Sequence, residues 1–182
     1  MRKSESLFIP GMPGKSPKHS AFNAPSEVQV RFFSKDDLNA ILEIQYACKG
    51  IAAWRAQDYE QLAADPRGML LVAVCEDRML PEIVGFSALY RIDGEAELWN
   101  IAVAPACRRR GIARALLHEA FARLANAGAA HRVFLEVRES NLAATELYHS
   151  LGFVPLSRRK DYYQHPKEDA LVLVHRLAKT AV

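Results

Sequence analysis

Asn100-Ile101-Ala102-Val103-Ala104-Pro105-Ala106-Cys107-Arg108-Arg109-Arg110-Gly111-Ile112-Ala113-Arg114-Ala115-Leu116-Leu117 reads as a buried strand that delivers a tight basic loop onto the start of an amphipathic helix. That arrangement suits a pyrophosphate, because backbone N–H groups and a helix N-terminus converge on one anion. Gly111 has no Cβ, so the chain can approach the anion closely, and Ala113 keeps the next position small. The helix start adds unpaired amides and a partial positive charge. Arg108, Arg109, Arg110 and Arg114 add full charges. A solvated basic turn would share this composition, but the spacing separates the two readings: Arg, two residues, Gly, one residue, a small residue, between an apolar strand and an apolar-periodic helix. The residues point to a nucleotide-containing cofactor.

Working outward, strand and helix signals alternate. Val28 to Phe33 reads as a first strand, and Ser34 with Asp37 makes a capping-box-like start for a helix carrying Leu38, Ile41, Leu42 and Gln45 on one side. A short helix follows Trp54. Met69 to Cys75 and Ile83 to Tyr90 read as antiparallel strands joined through Asp77 to Pro81, with Ala96 to Val103 as the next. Ala113, Leu116, Leu117, Ala120, Phe121 and Leu124 then recur at helical period up to Gly128. Val133 to Val137 is a β-branched strand, Leu142 to Leu151 a helix stopped by Gly152, and Phe153 to Leu156 and Ala170 to Leu177 the closing strands. The order is strand, two helices, three strands, helix, strand, helix, two strands, a mixed α/β class.

With 182 residues, 50% hydrophobic and 25% charged, the chain can bury one substantial core, and nothing in it suggests a second. Residues 28–182 are read as that domain. Residues 1–27, with Pro10, Pro13, Pro17, Pro25, Gly11 and Gly14 among scattered Lys and Ser, are read as a flexible tail, and Met12 leaves open a later start. The formal charge of +3 is too slight for wholesale nucleic-acid coating. Cys48, Cys75 and Cys107 are odd in number and widely spaced, which indicates neither a disulfide framework nor a zinc site and fits a reducing, cytoplasmic setting. The six histidines show no ligand-like helical pair, so no metal is expected. No run reaches the ~20 apolar residues of a membrane span.

The segment Arg108-Arg109-Arg110-Gly111-Ile112-Ala113 resembles the pyrophosphate signature of the GNAT acyltransferases. Together with Asn100-Ile101-Ala102-Val103, Leu135-Glu136-Val137-Arg138-Glu139-Ser140-Asn141, Leu147-Tyr148-His149-Ser150-Leu151-Gly152-Phe153 and Arg158-Arg159-Lys160-Asp161-Tyr162-Tyr163, it is similar to the bacterial ribosomal-protein alanine N-acetyltransferases. The resemblance covers roughly the last half of the chain. It implies a GNAT fold: a mixed, mainly antiparallel sheet of about seven strands flanked by helices, with two strands splayed to admit the pantetheine of acetyl-coenzyme A. On that reading main-chain groups at Ile101, Ala102 and Val103 imitate an added strand, while Arg108 to Arg110, Gly111, Ile112, Ala113 and Arg114 hold the pyrophosphate.

Acyl transfer to an amine requires a base for the ammonium, donors for the oxyanion and a proton for the leaving thiolate. Glu136 is the carboxylate inside an apolar strand end, where partial desolvation would raise its pKa, and it matches the family's base. A plain ion pair with Arg138 or Arg132 is the structural alternative, and Glu97 on the preceding strand is the competing base. Tyr148 matches the family's general acid, although a helix Tyr between Leu147 and Leu151 could be packing alone. Asn141 could cap the helix that carries Tyr148, and the resemblance also gives it a bond to the pantetheine arm. Cys107 beside the arginines is a conceivable nucleophile, but it lies on the cofactor side, away from the reacting amine. Trp54, Tyr162 and Tyr163 are candidate substrate contacts. In the related enzymes the paired tyrosines lie near the peptide entrance, but here the loop from Tyr163 to Glu168 is shorter and Ala53, not Pro, precedes Trp54.

The expected activity is acetyl-coenzyme A dependent acetylation of a protein N-terminal α-amine, with an N-terminal alanine of a small-subunit ribosomal protein as acceptor. A lysine side chain or small-molecule amine remains as acceptor within the enzymes. Outside them stand a non-catalytic acyl-coenzyme A binding module and RNA binding through the arginines.

Overall fold

The computed structural model describes residues 28–48, 50–76 and 82–178. Its elements are β1 (Val28–Phe32), a 3-10 turn (Lys35–Asp37), α1 (Leu38–Ala47), α2 (Ala56–Ala64), β2 (Gly68–Cys75), β3 (Glu82–Ile92), β4 (Glu95–Val103), a 3-10 turn (Pro105–Cys107), α3 (Ile112–Asn126), β5 (Arg132–Arg138), α4 (Leu142–Ser150), β6 (Val154–Gln164) and β7 (Lys167–Arg176). The order read from the sequence is the order observed. The expected tail and the Asp77–Pro81 connection lie outside the described residues. Among the described residues no helix is long and apolar enough to cross a membrane.

The strands form one sheet in the order β1-β2-β3-β4-β5-β7-β6. Neighbours run antiparallel except β4 and β5, which are parallel. Parallel strands need a crossover, and α3 supplies it. The closing hairpin is longer than the sequence suggested: β6 continues past Leu156 to Gln164, and Tyr163 pairs with Glu168 around a two-residue turn. Its polar, exposed residues hid it, because an edge strand need not alternate.

The sheet is covered on both faces. Leu71, Leu89, Leu98, Leu135 and Val137 pack with Leu116, Leu117 and Leu124 of α3 and Tyr148 of α4. Leu70, Val72, Phe86 and Ala102 pack on the other face with Ile41 and Ile44 of α1 and Tyr59 of α2. Interior strand β2, covered on both faces, is therefore buried along nearly its whole length and reads as an unbroken apolar run. Gly85 lets α3 lie close over β3 and β4, since a Cβ there would stand 2.9 Å from the Ala102 carbonyl oxygen and 3.3 Å from Ile112 Cγ2.

A β-bulge breaks the alternation of β4. Ala88 pairs with Asn100 and Leu89 with Leu98, so Trp99 has no partner on β3. Before the bulge, Ala96 and Leu98 face the α3 side; after it, Asn100 and Ala102 face the α1/α2 side while Ile101 and Val103 turn toward α3. The bulge sits where β4 leaves β5, for the last residues paired between them are Leu98 and Leu135.

The first helix is anchored by Asp37, which is 5% exposed. Its carboxylate accepts from Arg31 Nη1 and Nη2 at 2.6 and 2.8 Å and from the Ser34 N–H at 2.7 Å. Burial acts to raise its pKa, but the bonds from Arg31 and Ser34 outweigh it and hold the carboxyl below its ordinary value. That stabilisation is present above the unfolded carboxyl pKa near ~3.9 and is lost as pH falls through the lower folded value. Urea denaturation of Asp37→Asn at pH 7 is expected to show a loss of about 1–3 kcal/mol. The gap to the wild type should begin to narrow below about pH 4 and go on closing as pH falls through the lower folded value; a gap that stays constant with falling pH would refute the linkage.

Candidate active site

Beyond Leu98 and Leu135 the two parallel strands diverge and stay bonded only to their outer neighbours, β3 and β7. The fork opens a cleft of about 1040 Å³, at the upper end of the range for small-molecule sites. The Ala104 N–H bonds the Val84 carbonyl at 2.9 Å. Antiparallel alternation therefore turns Asn100 and Ala102 toward β3 and the main-chain groups of Ile101 and Val103 into the fork. On β5 the Glu139 N–H bonds Asp169 and the Leu177 N–H bonds the His131 carbonyl, which sends the main chain of Glu136 and Arg138 to the same gap. Two unpaired strand edges thus face one another.

One end of the cleft is the basic loop. Gly111 is the N-cap of α3 at φ 79°, in the left-handed region, and Arg109 before it has φ 62°. No side chain caps this helix, and its first backbone bond runs from the Ala115 N–H to the Gly111 carbonyl at 2.9 Å. The amides of Ile112, Ala113 and Arg114 consequently precede the helical ladder. Arg108, Arg109 and Arg114 line the cleft, whereas Arg110 is not among the lining residues. The Arg108 side chain donates from Nε to the Val103 carbonyl at 3.3 Å and from Nη2 to Cys48 Sγ at 3.1 Å. Arg114 Nη2 bonds Ser150 Oγ at the end of α4, joining the two helices beside the cleft.

At the fork, Glu136 and Tyr148 line the same cleft from opposite faces of the sheet. Leu135 and Val137 belong to the α3-side core that includes Tyr148, so Glu136 between them projects to the α1/α2 side. Its Oε1 lies 2.8 Å from Arg159 Nη1, and the carboxylate pushes the nearby Tyr162 phenol above its ordinary pKa. The ion-pair partner is thus Arg159 of β6, not Arg138 or Arg132. Arg132 pairs instead with Glu95, and Arg138 with Glu168. Tyr148 is 5% exposed, and its ring meets Phe153 edge-on at a centroid distance of 5.5 Å. Burial, with a smaller contribution from Tyr163, pushes its phenol well above the ordinary tyrosine value. The group stays protonated through the working pH range. No hydrogen bond to its hydroxyl is made among the described residues.

Asn141 is the N-cap of α4, its Oδ1 accepting from the Ala144 N–H at 3.3 Å, and it also lines the cleft. Tyr163 lies on the cleft wall; Tyr162 stands beside it, 45% exposed, with the two rings edge-on at a centroid distance of 5.2 Å. Trp54 does not line the cleft. It is tied through its main chain to Gln45 and packs against Tyr59 and Trp99, at centroid distances of 5.1 and 6.1 Å. Glu97 is likewise off the cleft, accepting from Trp99 Nε1 at 2.9 Å. Cys107 is buried on the cleft wall.

Sequence reasoning missed Cys48, Trp99, Arg138 and His165 as cleft residues. Trp99 carried a signal, a large aromatic beside a strand that leads to the loop. Arg138 and His165 come together through pairing of distant strands, and Cys48 through the packing of the end of α1 on β4.

The acetyltransferase (GNAT) family matches residues 38–153. The chain is similar to the ribosomal protein bS18-alanine N-acetyltransferase of Escherichia coli K12, with 40% identity over 94 residues, which are 50% of this chain and 63% of that protein. It is similar also to the enzyme of that name from Salmonella typhimurium, with 38% identity over 109 residues, 59% of this chain and 70% of the other. Among solved structures, the E. coli ribosomal-protein-S18-alanine N-acetyltransferase superposes with a TM-score of 0.74 at 28% identity, covering 85% of this chain and 96% of that one. Arabidopsis thaliana NAA60 in complex with acetyl-CoA superposes with a TM-score of 0.73 at 20% identity, covering 82% and 98%, a likeness of fold. The forked sheet, the αL glycine that starts α3 and the family match over residues 38–153 agree: this chain belongs to the GNAT acetyltransferase family.

Proposed function

We propose that the protein transfers an acetyl group from acetyl-coenzyme A to the N-terminal α-amine of a protein, with a ribosomal protein beginning with alanine as acceptor. The observation that carries this reading is the fork, where Glu136 and Tyr148 meet one cleft from the two faces of the sheet. The names of the relatives in Escherichia coli and Salmonella support the acceptor.

The residues present suit the donor. Amides at the start of α3, with Arg108, Arg109 and Arg114, offer partial and full positive charge to a pyrophosphate. Main-chain groups of Ile101 and Val103 offer a strand edge to the pantetheine amides. Bound there, acetyl-coenzyme A supplies the acetyl group as a thioester. Arg108 Nε and Cys48 Sγ, at 3.3 and 3.4 Å, must release the Val103 carbonyl for that edge to be used. Asn141 serves α4 as its cap and reaches the same cleft.

Glu136 takes the proton of the acceptor ammonium on its carboxylate. Its partner Arg159 is 53% exposed, and so solvated an ion pair is weak enough for the incoming ammonium to displace. Tyr148 keeps its proton and gives it to the departing sulfur; a thiol of pKa about 8.5 needs only modest help. Tyr162 and Tyr163 flank the acceptor, and Trp54 acts on it only through Trp99. Transfer is direct in a ternary complex, since Cys48 is held by Arg108 and Cys107 is buried on the cofactor side. The reading sets the reaction in the cytoplasm.

Incubation with acetyl-coenzyme A and a ribosomal extract, followed by mass spectrometry of N-termini and lysines, is expected to find acetylation at an N-terminal alanine. Acetylation of lysines alone would overturn the acceptor, and no transfer at all would overturn the activity. Glu136→Gln should lower kcat/KM about 10²–10⁴-fold, and Tyr148→Phe should lower kcat while leaving the Kd for acetyl-coenzyme A unchanged. Because Tyr148 is held protonated, the pH profile of kcat should show no falling alkaline limb below about pH 10. A limb near pH 8 to 9 that vanishes in Tyr148→Phe would contradict the acid assignment.

A further inference from the structure

Arg138 has no role in the scheme above, yet its guanidinium is fully engaged at the cleft mouth. Nη1 donates to the Pro166 carbonyl at 3.3 Å and to Glu168 Oε2 at 3.2 Å, and Nη2 donates to the His165 carbonyl at 3.2 Å. The Cζ atom stands 4.0 Å from the centroid of the Tyr163 ring. Glu168 also accepts from the Ser140 N–H, two residues beyond Arg138 and just before the Asn141 cap of α4. Arg138 and Glu168 are both mostly shielded, at 21% and 14% side-chain exposure.

The consequence is mechanical. One guanidinium ties the β6–β7 turn to the end of β5, and Glu168 ties the same turn to the start of α4. The turn is thereby locked to the strand that bears Glu136 and the helix that bears Tyr148. Tyr163, under the guanidinium, lies within electrostatic reach of both: each of Tyr148 and Glu136 interacts with it. Arg is suited to this work and Lys is not, since a planar fork can serve two carbonyls, a carboxylate and a ring face together whereas an ammonium is a point charge.

We propose that Arg138 is a positioning residue for the acceptor: with Glu168 it clasps the β6–β7 turn against the end of β5 at the cleft mouth and so holds the Tyr163 ring as a fixed wall against which the acceptor amine is oriented. The clasp rests on the acetyltransferase reading for its kinetic consequence, but not for its structural one. It contacts neither the basic loop nor the edge of Ile101 and Val103, so the donor side should not feel its loss.

The test uses the full chain, with Arg138→Ala and Arg138→Lys compared with wild type on an acceptor peptide beginning with alanine. Both variants are expected to raise the acceptor KM about tenfold, with kcat and the acetyl-coenzyme A KM changed less than about threefold. Hydrogen exchange of the amides from Tyr163 to Glu168 should quicken about tenfold or more in both. An unchanged acceptor KM in an active enzyme, a loss confined to kcat, or wild-type behaviour of Arg138→Lys would overturn the proposal. If the wild type acetylates no acceptor, the exchange measurement decides alone: faster exchange at the turn supports the clasp, and unchanged exchange refutes it. If Arg138→Ala does not fold, Glu168→Gln, which leaves both carbonyl bonds of Arg138 in place, should show the same direction of change in both measurements, and no change in either would overturn the clasp.

Discussion

The parting of β4 from β5 after Leu98 and Leu135 is the constraint on which the rest of this molecule depends. A parallel pair that stayed zipped would bury the main-chain groups of Ile101, Val103, Glu136 and Arg138 in a ladder and leave no cleft. Each strand remains bonded on its outer side, so the separation does not cost the sheet its integrity. The bulge at Trp99 coincides with the parting and reverses which side chains of β4 face α3. A bulge adds local twist to its strand, and here that twist turns β4 away from its neighbour where the gap must begin.

Two helices complete the site because of how they enter it. Gly111 in the left-handed conformation ends the arginine loop and starts α3 with its first amides turned to the cleft. Asn141 starts α4 with a side-chain cap and sets Tyr148 two turns later against the gap. The Arg114 bond to Ser150 and the Ser140 bond to Glu168 fix both ends of α4 to their surroundings. The basic-loop end and the β6–β7 end of the cleft are thereby braced by separate contacts.

Much of this was legible in the sequence for reasons that are local. The loop signature, the helical period from Ala113 to Leu124 and the short apolar strands fix elements through neighbours in the chain, and their order was read correctly. What escaped depends on distant pairing. Arg159 and Glu136 meet only because β7 lies between β5 and β6, so the expected partners Arg138 and Arg132 were the nearer basic residues, not the right ones. The extension of β6 to Gln164 carries exposed polar residues without alternation, and the bulge at Trp99 leaves no mark in composition. Trp54 lies off the cleft, packed against Trp99, a placement that follows from its main-chain bonds to Gln45.

The central claim is that the β4 edge and the start of α3 together grip one extended ligand. Backbone hydrogen exchange measured with and without coenzyme A addresses it directly. Protection of the amides of Ile101 and Val103 together with those of Ile112 to Arg114 is the result this account predicts. Exchange at both segments that is unaltered by saturating coenzyme A would contradict it.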